Sequence, residues 1–337
     1  MKIDVHAHLA GIGTQGSGSW LSPEFQRRVT FRVLRLLYGV TAEQMQSSVD
    51  QDWVDLLADL VQESELDRAV ALGFDGVYGA GGSLDAGRSQ LIIPPSWVFA
   101  ACRRRPGVLL PGPSVNPGRA DAMERLEECI EGGAVLLKWL PAVQAIDPSE
   151  PRHIPFYWKM RDAGIPLLVH AGGGEATFRV VARHLQNLKL LERPLEEGVT
   201  VICAHSAAPI IYSRDTNQIP LLHRMLARFP NLWVDNSGMA NPSRFPHLAR
   251  FAQDPDVRDR TLYGSDFPVP ASPMYYLRKF GLSRTLRIQR IRNPLQRDIA
   301  IKRALGYNDD SLTRASSVLP NLRRWATDAG FTGTTPE

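Results

Sequence analysis

Two histidines stand one residue apart near the start of the chain, in MKIDVHAHL (1–9). Imidazole nitrogens bind divalent metal ions and exchange protons near neutral pH. Ile3, Val5 and Ala7 alternate with Asp4, His6 and His8, so a strand here predicts an apolar face on one side and both imidazoles on the other. Two residues of strand advance about 6.6 Å, close enough for both rings to reach one ion. Taken alone, the pair reads more simply as two exposed or hydrogen-bonded histidines, and a metal site needs ligands from elsewhere.

Further candidates lie at or near the ends of apolar runs. Lys138 falls in GAVLLKW (133–139), His170 in IPLLVHA (165–171), His205 in GVTVICAH (198–205) and Asp266 in RTLYGSD (260–266). With KIDVHAH, RAVALGF (68–74), GVLLPGPSV (107–115) and NLWVDNS (231–237), these runs predict eight short strands. Segments between them carry helical periodicity, among them DAMERLEECIEG (121–132), FYWKMRDAG (156–164), FRVVARHLQNLKLLE (178–192) and IPLLHRMLARFP (219–230). Alternating strands and helices predict an α/β fold, and eight such units predict a (β/α)8 TIM barrel. The C-terminal ends of barrel strands converge on one mouth. His6, His8, Lys138, His170, His205 and Asp266 then form one cluster, and a shared metal site becomes the favoured reading.

The connection after the first strand is much longer than the others. It opens Gly/Ser-rich at AGIGTQGSGSW (10–20), continues through EFQRRVTFRVLRLLYG (24–39) and reaches a capping box, Thr41 with Gln44. Trp53, Leu56, Leu57, Leu60 and Val61 follow at helical spacing as the first barrel helix. Residues 10–40 are therefore expected to be an insertion over the barrel mouth, serving as a pocket wall or, equally, as a packing or oligomer element. Residues 281–337 are expected to be a C-terminal helical extension ending in a polar tail.

The 337 residues, 44% hydrophobic and 22% charged, supply enough core for one barrel domain over 1–337. A net charge of +4, with no aromatic-interleaved basic tract, argues against a nucleic-acid partner. The densest basic run, SRTLRIQRIRNPLQRDIAIKR (283–303), mixes its charges with apolar residues at helical spacing and reads as a solvated helix face. Cys102, Cys129 and Cys203 form no CxxC pair and no disulfide framework, which suits a reducing compartment. No apolar run is long enough for a membrane span, and the first strand leaves no room for a signal peptide. The expectation is a cytoplasmic protein with a small-molecule substrate, and homo-oligomerisation stays open.

DVHAHL (4–9), LLVHAGGGE (167–175), ICAHSAAP (202–209), NLWVDNS (231–237), YGSDFP (263–268) and NPLQRDIAIKRALG (293–306) occur in an order that resembles the amidohydrolase superfamily, in its amidohydrolase-2 branch. The resemblance implies a divalent metal, usually Zn²⁺ with Mn²⁺ as the alternative, and hydrolysis of a C–O or C–N bond. In some relatives it implies decarboxylation, lactone opening or hydration. Carried over, His6, His8, His170 and Asp266 match the single-metal ligand set, with room for a water whose pKa falls to about 7 on catalytic zinc. The resemblance further implies Asp266 as proton acceptor and donor, and His205 as the group that polarises a carbonyl or stabilises charge developing on its oxygen. Lys138 is expected as a cation facing an anionic substrate; carboxylated, it would instead bridge a second metal. The runner-up activity is non-oxidative decarboxylation of an aromatic or unsaturated acid on the same site.

Other residues read more plainly. His184 and His223 sit in helical segments, and His153 and His247 in Pro-rich sequence. Glycines 172–174 lack nucleotide-loop spacing and permit a tight turn beside His170. Asp235 is open between hydrogen-bond support of the site and a turn role. Arg27, Arg28, Arg32 and Arg179 are candidates for meeting an anion, with nothing in the sequence to select among them.

Overall fold

A computed structural model describes residues 1–213 and 217–325. Eight parallel strands appear at the eight apolar runs: β1 (Ile3–His8), β2 (Arg68–Leu72), β3 (Leu109–Gly112), β4 (Leu137–Trp139), β5 (Leu167–Val169), β6 (Val201–Cys203), β7 (Leu232–Asp235) and β8 (Thr261–Leu262). They pair in chain order as two sheets, β1 to β3 and β4 to β8. Backbone bonds bridge both seams. Val135 and Lys138 donate to Pro111 and Pro113, each at 2.9 Å, while Val5 and His8 donate to Tyr263 and Phe267 at 3.0 and 2.8 Å. The chain is a TIM barrel.

The strands are apolar in both directions because both faces are covered. Val70, Leu110, Leu136, Leu168, Ile202 and Leu262 pack with one another in the barrel interior. Leu137, Trp139, Leu167 and Val169 pack instead with the helical layer. Ala315, Val318, Leu319 and Leu322, from the last helical turns, join the inner cluster. They sit at the strand-start end, where Arg314 donates to the carbonyl of Thr261, the first residue of β8. The C-terminal segment thus plugs the end away from the mouth. The tail beyond residue 325 lies outside the described residues.

Helices Ala122–Glu131, Ile154–Asp162 and Ile219–Arg228 fall where periodicity predicts them. The stretch 178–192 does not form the expected helix. It folds as two 3₁₀ turns, Arg183–Gln186 and Leu188–Leu191, before the short helix Glu192–Glu196. Its buried leucines, Leu185, Leu188 and Leu191, are spaced by three, which is the 3₁₀ repeat and not the 3.6 of an α-helix. The basic run 283–303 forms parts of helices Leu277–Gln289 and Pro294–Leu305, burying Thr285, Ile288, Leu295 and Ile299 while Arg284, Arg287 and Arg303 face solvent.

Within the segment 10–40, Ser22 caps a short helix, Pro23–Gln26, and a longer one follows over Val29–Leu37. The Thr41–Gln44 capping box forms reciprocally, with bonds of 3.1 and 2.9 Å. It starts only the one-turn helix Gln44–Ser47, however, and the first barrel helix begins afresh at Val49 and runs to Gln62. Buried Asp50 anchors the glycine-rich loop to that helix by accepting from Ile12 and Gly13 at 2.8 and 3.0 Å.

Leu319 is fully buried at the plug. Leu319→Ala is expected to lower unfolding stability by about 2–5 kcal/mol, measured by denaturant titration. A loss below about 1 kcal/mol would show that the plug is dispensable to the barrel.

Candidate active site

The first strand reaches the mouth by breaking its own alternation. Asp4 pairs with Ala69 and Ala7 with Ala71, three steps of β1 against two of β2, which marks a bulge. Ile3 and Val5 pack in the barrel interior, yet Ala7 packs with the outer layer. Strict alternation from Val5 would have sent His6 and His8 outward, so the bulge brings both imidazoles back to the interior side. Asp4 secures it by accepting from the backbone N–H of His6 at 2.9 Å and of Ser265 at 3.0 Å. Burial raises the Asp4 carboxyl to about 7.

Asp266 adopts a left-handed backbone, φ 63°, just beyond β8, and its N–H donates to the His6 carbonyl at 2.8 Å. Gly238 makes room for it, because a Cβ there would run into Asp266 Oδ2. Three ligand-type atoms then converge. His6 Nε2 lies 3.1 Å from His8 Nε2, and Asp266 Oδ1 lies 3.3 Å from the first and 3.2 Å from the second. Ligands held at 2.0–2.1 Å around a tetrahedral zinc are spaced about 3.3 Å apart. The triangle therefore matches one face of such a site, and its two nitrogens and one oxygen suit a borderline-soft divalent ion.

The opposite ring nitrogen of His6 is held by Asp235, whose Oδ2 lies 2.8 Å from Nδ1. Lys138 Nζ donates to His6 Nε2 at 2.8 Å, so the proton of the neutral ring is on Nδ1 and the Nε2 lone pair faces the mouth. Burial, reinforced by the Lys138 charge, pushes His6 down to about 4, while burial brings Lys138 to about 8. His6 is thus neutral at neutral pH, the form in which an imidazole can bind a metal ion. Burial works against the charge on Asp266, but His205, His8 and His6 around it hold its carboxyl well below the usual range.

His205 lies in a run of left-handed residues, His205, Ser206 and Ala207, with φ of 55°, 49° and 50°. Such backbone is costly for residues with side chains and persists where neighbours fix it. Asp235 Oδ1 accepts the His205 N–H at 2.8 Å, and Ser206 Oγ donates to the Asp235 carbonyl at 2.8 Å. His205 Nδ1 lies 2.8 Å from the Ser237 carbonyl, which requires a proton on Nδ1. Burial drives His205 well below its ordinary pKa, so the neutral ring presents an acceptor at Nε2, not the donor that polarising a carbonyl requires. Asp235 resolves as site support. It holds both histidines, and Ser237 Oγ, donating to Asp235 Oδ1 at 2.5 Å, sits 2.9 Å from each Nδ1.

His170 reaches the mouth but not the triangle. Its Nε2–H donates to the Gly174 carbonyl at 2.9 Å, and Nδ1 lies 3.4 Å from Glu175 Oε2. Arg244, which the sequence reading missed, donates to the same carbonyl at 2.7 Å and to that of Ala208 at 2.9 Å, fixing this loop. Ser237 follows Asp235 by two residues, in the turn just beyond β7. Nothing in the sequence marks Arg244, and Glu175 closes the LLVHAGGGE motif with no role assigned to it there. Arg28 and Arg179 are tied to Glu24, Arg27 and Arg32 are exposed, and His153, His184, His223 and His247 stay away from the mouth.

His8, Lys138, His170, His205 and Asp266 line one cavity of about 380 Å³. Phe25, Phe31, Leu34 and Arg35 line it too, so the segment 10–40 forms part of its wall. The amidohydrolase family model matches residues 3–288. The chain belongs to the amidohydrolase family. No curated protein sequence matches this amidohydrolase. Its fold is similar to an uncharacterized TIM-barrel protein from Bordetella bronchiseptica, at 17% identity and TM-score 0.59, covering 98% of this chain and 99% of that one. A candidate 2-pyrone-4,6-dicarboxylic acid hydrolase from Pseudomonas putida aligns at 16% identity and TM-score 0.55, covering 95% and 97%. A 4-oxalomesaconate hydratase from Rhodopseudomonas palustris aligns at 14% and 0.53, covering 96% and 97%.

Asp235→Asn keeps the size but places an amide against His6 Nδ1. It is expected to weaken Zn²⁺ affinity by about 10–100-fold, read by competition with a chelating dye. Unchanged affinity would reduce Asp235 to a packing residue.

Proposed function

We propose that this amidohydrolase is a metal-dependent hydrolase that cleaves a C–O or C–N bond of a small, anionic substrate. The observation that carries the reading is the triangle of His6 Nε2, His8 Nε2 and Asp266 Oδ1, whose edges match a tetrahedral zinc face. These three residues would hold the ion once Lys138 Nζ gives up the His6 Nε2 lone pair, with His170 as a fourth ligand once its bond to Gly174 is released. A zinc ion so held supplies Lewis acidity and an acidified water at neutral pH. Asp266, ionised and pointing into the cavity, takes the proton of the attacking water and returns it to the leaving group. Lys138 offers its remaining N–H bonds to negative charge developing on the substrate oxygen. His205 Nε2, as an acceptor, orients the attacking water; this replaces the carbonyl-polarising role expected from resemblance, because its Nδ1 proton is committed to Ser237.

Protein purified without chelator is expected to carry about one zinc or similar ion per chain. Two ions would instead favour a carboxylated Lys138. Asp266→Asn retains an oxygen ligand but no comparable base, so metal should persist while kcat falls at least about a hundredfold. Assays against lactones, amides and aromatic carboxylic acids should follow acid release and CO₂ separately. Turnover of Asp266→Asn within a few-fold of wild type would remove Asp266 as the base, and CO₂ release without hydrolysis would replace the hydrolase reading with a decarboxylase.

A further inference from the structure

The wall that the segment 10–40 gives to the cavity is mostly apolar, with Thr30 and Arg35 as its polar side chains. Leu21, Phe25, Phe31, Leu34 and Val40 line it, and Phe178 stacks on Phe25 with ring centroids 5.1 Å apart. Arg35 is the one charged side chain that this segment places on the lining. Nearby arginines are already committed: Arg28 and Arg179 bond the two oxygens of Glu24, each at 3.1 Å. Arg35 is half-buried, reaches only the Val40 carbonyl at a long 3.5 Å, and keeps its Nε buried with no hydrogen-bond partner. A guanidinium edge left unpaired beside apolar side chains is completed by an anion that comes to it. Among the described residues no carboxylate does so, which leaves the ligand to supply one.

We propose that the substrate is an amphipathic anion: an aryl or alkyl body packs against Phe25, Phe31 and Leu34, and a carboxylate pairs with Arg35. The proposal rests on the reading of this cavity as the active site and names the class of molecule that enters it. The cavity volume of about 380 Å³ suits a single small molecule of this kind. Arg35 is a specificity residue, because its fork binds a carboxylate and takes no part in bond cleavage.

The test is calorimetric titration with three probes: 4-phenylbutyrate, its neutral amide, and succinate, which carries charge without an apolar body. Metal-stripped protein is used so that no ion competes for the carboxylate. Phenylbutyrate should bind at least about tenfold tighter than the amide and tighter than succinate. Arg35→Met should abolish the preference for phenylbutyrate over the amide while leaving the amide's own affinity unchanged, and Arg35→Lys should retain part of it. Zinc uptake on reloading should be the same in all three proteins. Equal binding of acid and amide to the wild type, a preference that survives Arg35→Met, or one lost in Lys138→Met instead, would overturn the proposal. The titrations are read without metal or turnover, so a protein that takes up no zinc would defeat the hydrolase reading and leave this result standing on its own.

Discussion

A single backbone contact, the Asp266 N–H on the His6 carbonyl at 2.8 Å, places the chemistry of this protein. The two residues are far apart in sequence and meet only because the eighth strand of the barrel closes on the first. Closure brings a carboxylate beside two imidazoles, and the left-handed turn at Asp266 aims that carboxylate inward. The bulge in β1, the space left by Gly238 and the Asp4 bonds to His6 and Ser265 all serve this seam. Without the seam, the triangle of His6, His8 and Asp266 does not form.

Around the triangle, the electrostatics follow from burial and fixed hydrogen bonds. Asp235 accepts from His6 Nδ1 and from the His205 backbone, so one carboxylate orients the His6 ring and fixes the backbone that carries His205, whose ring bonds the Ser237 carbonyl. With protons committed to Nδ1, both rings turn lone pairs toward the cavity, the form suited to ligation and proton acceptance. Lys138 is the cation among these acceptors, and burial has brought it to about 8, where it remains mostly charged at neutral pH. Donor and acceptor roles are thereby divided before any substrate arrives.

The fold was largely legible in the sequence because barrel strands are covered on both faces and read as short apolar runs. All eight appear, and helices such as Ala122–Glu131 follow their amphipathic repeat. The stretch 178–192 misled because leucines at a spacing of three satisfy a 3₁₀ turn as well as they suggest a helix. The first barrel helix began later than its capping box implied, since a local cap can start a single turn without setting the element that follows.

Residue chemistry at the strand ends was determined by sequence alone: His6, His8, Lys138, His170, His205 and Asp266 lie at or near the ends of runs that open on one mouth once eight parallel strands are granted. Which of them converge was decided only by tertiary structure. The bulge shifts β1 by one residue, a change invisible to periodicity, and Gly174 and Arg244 hold His170 aside from the triangle. The state of each imidazole was likewise beyond sequence, since it depends on partners such as Asp235 and Ser237, hundreds of residues from His6 along the chain. So was the choice of Arg35 over its neighbours. All four arginines lie in one short stretch of similar sequence, and only the packed structure pairs Arg28 with Glu24, exposes Arg27 and Arg32, and sets Arg35 half-buried at the cavity with no carboxylate partner among the described residues.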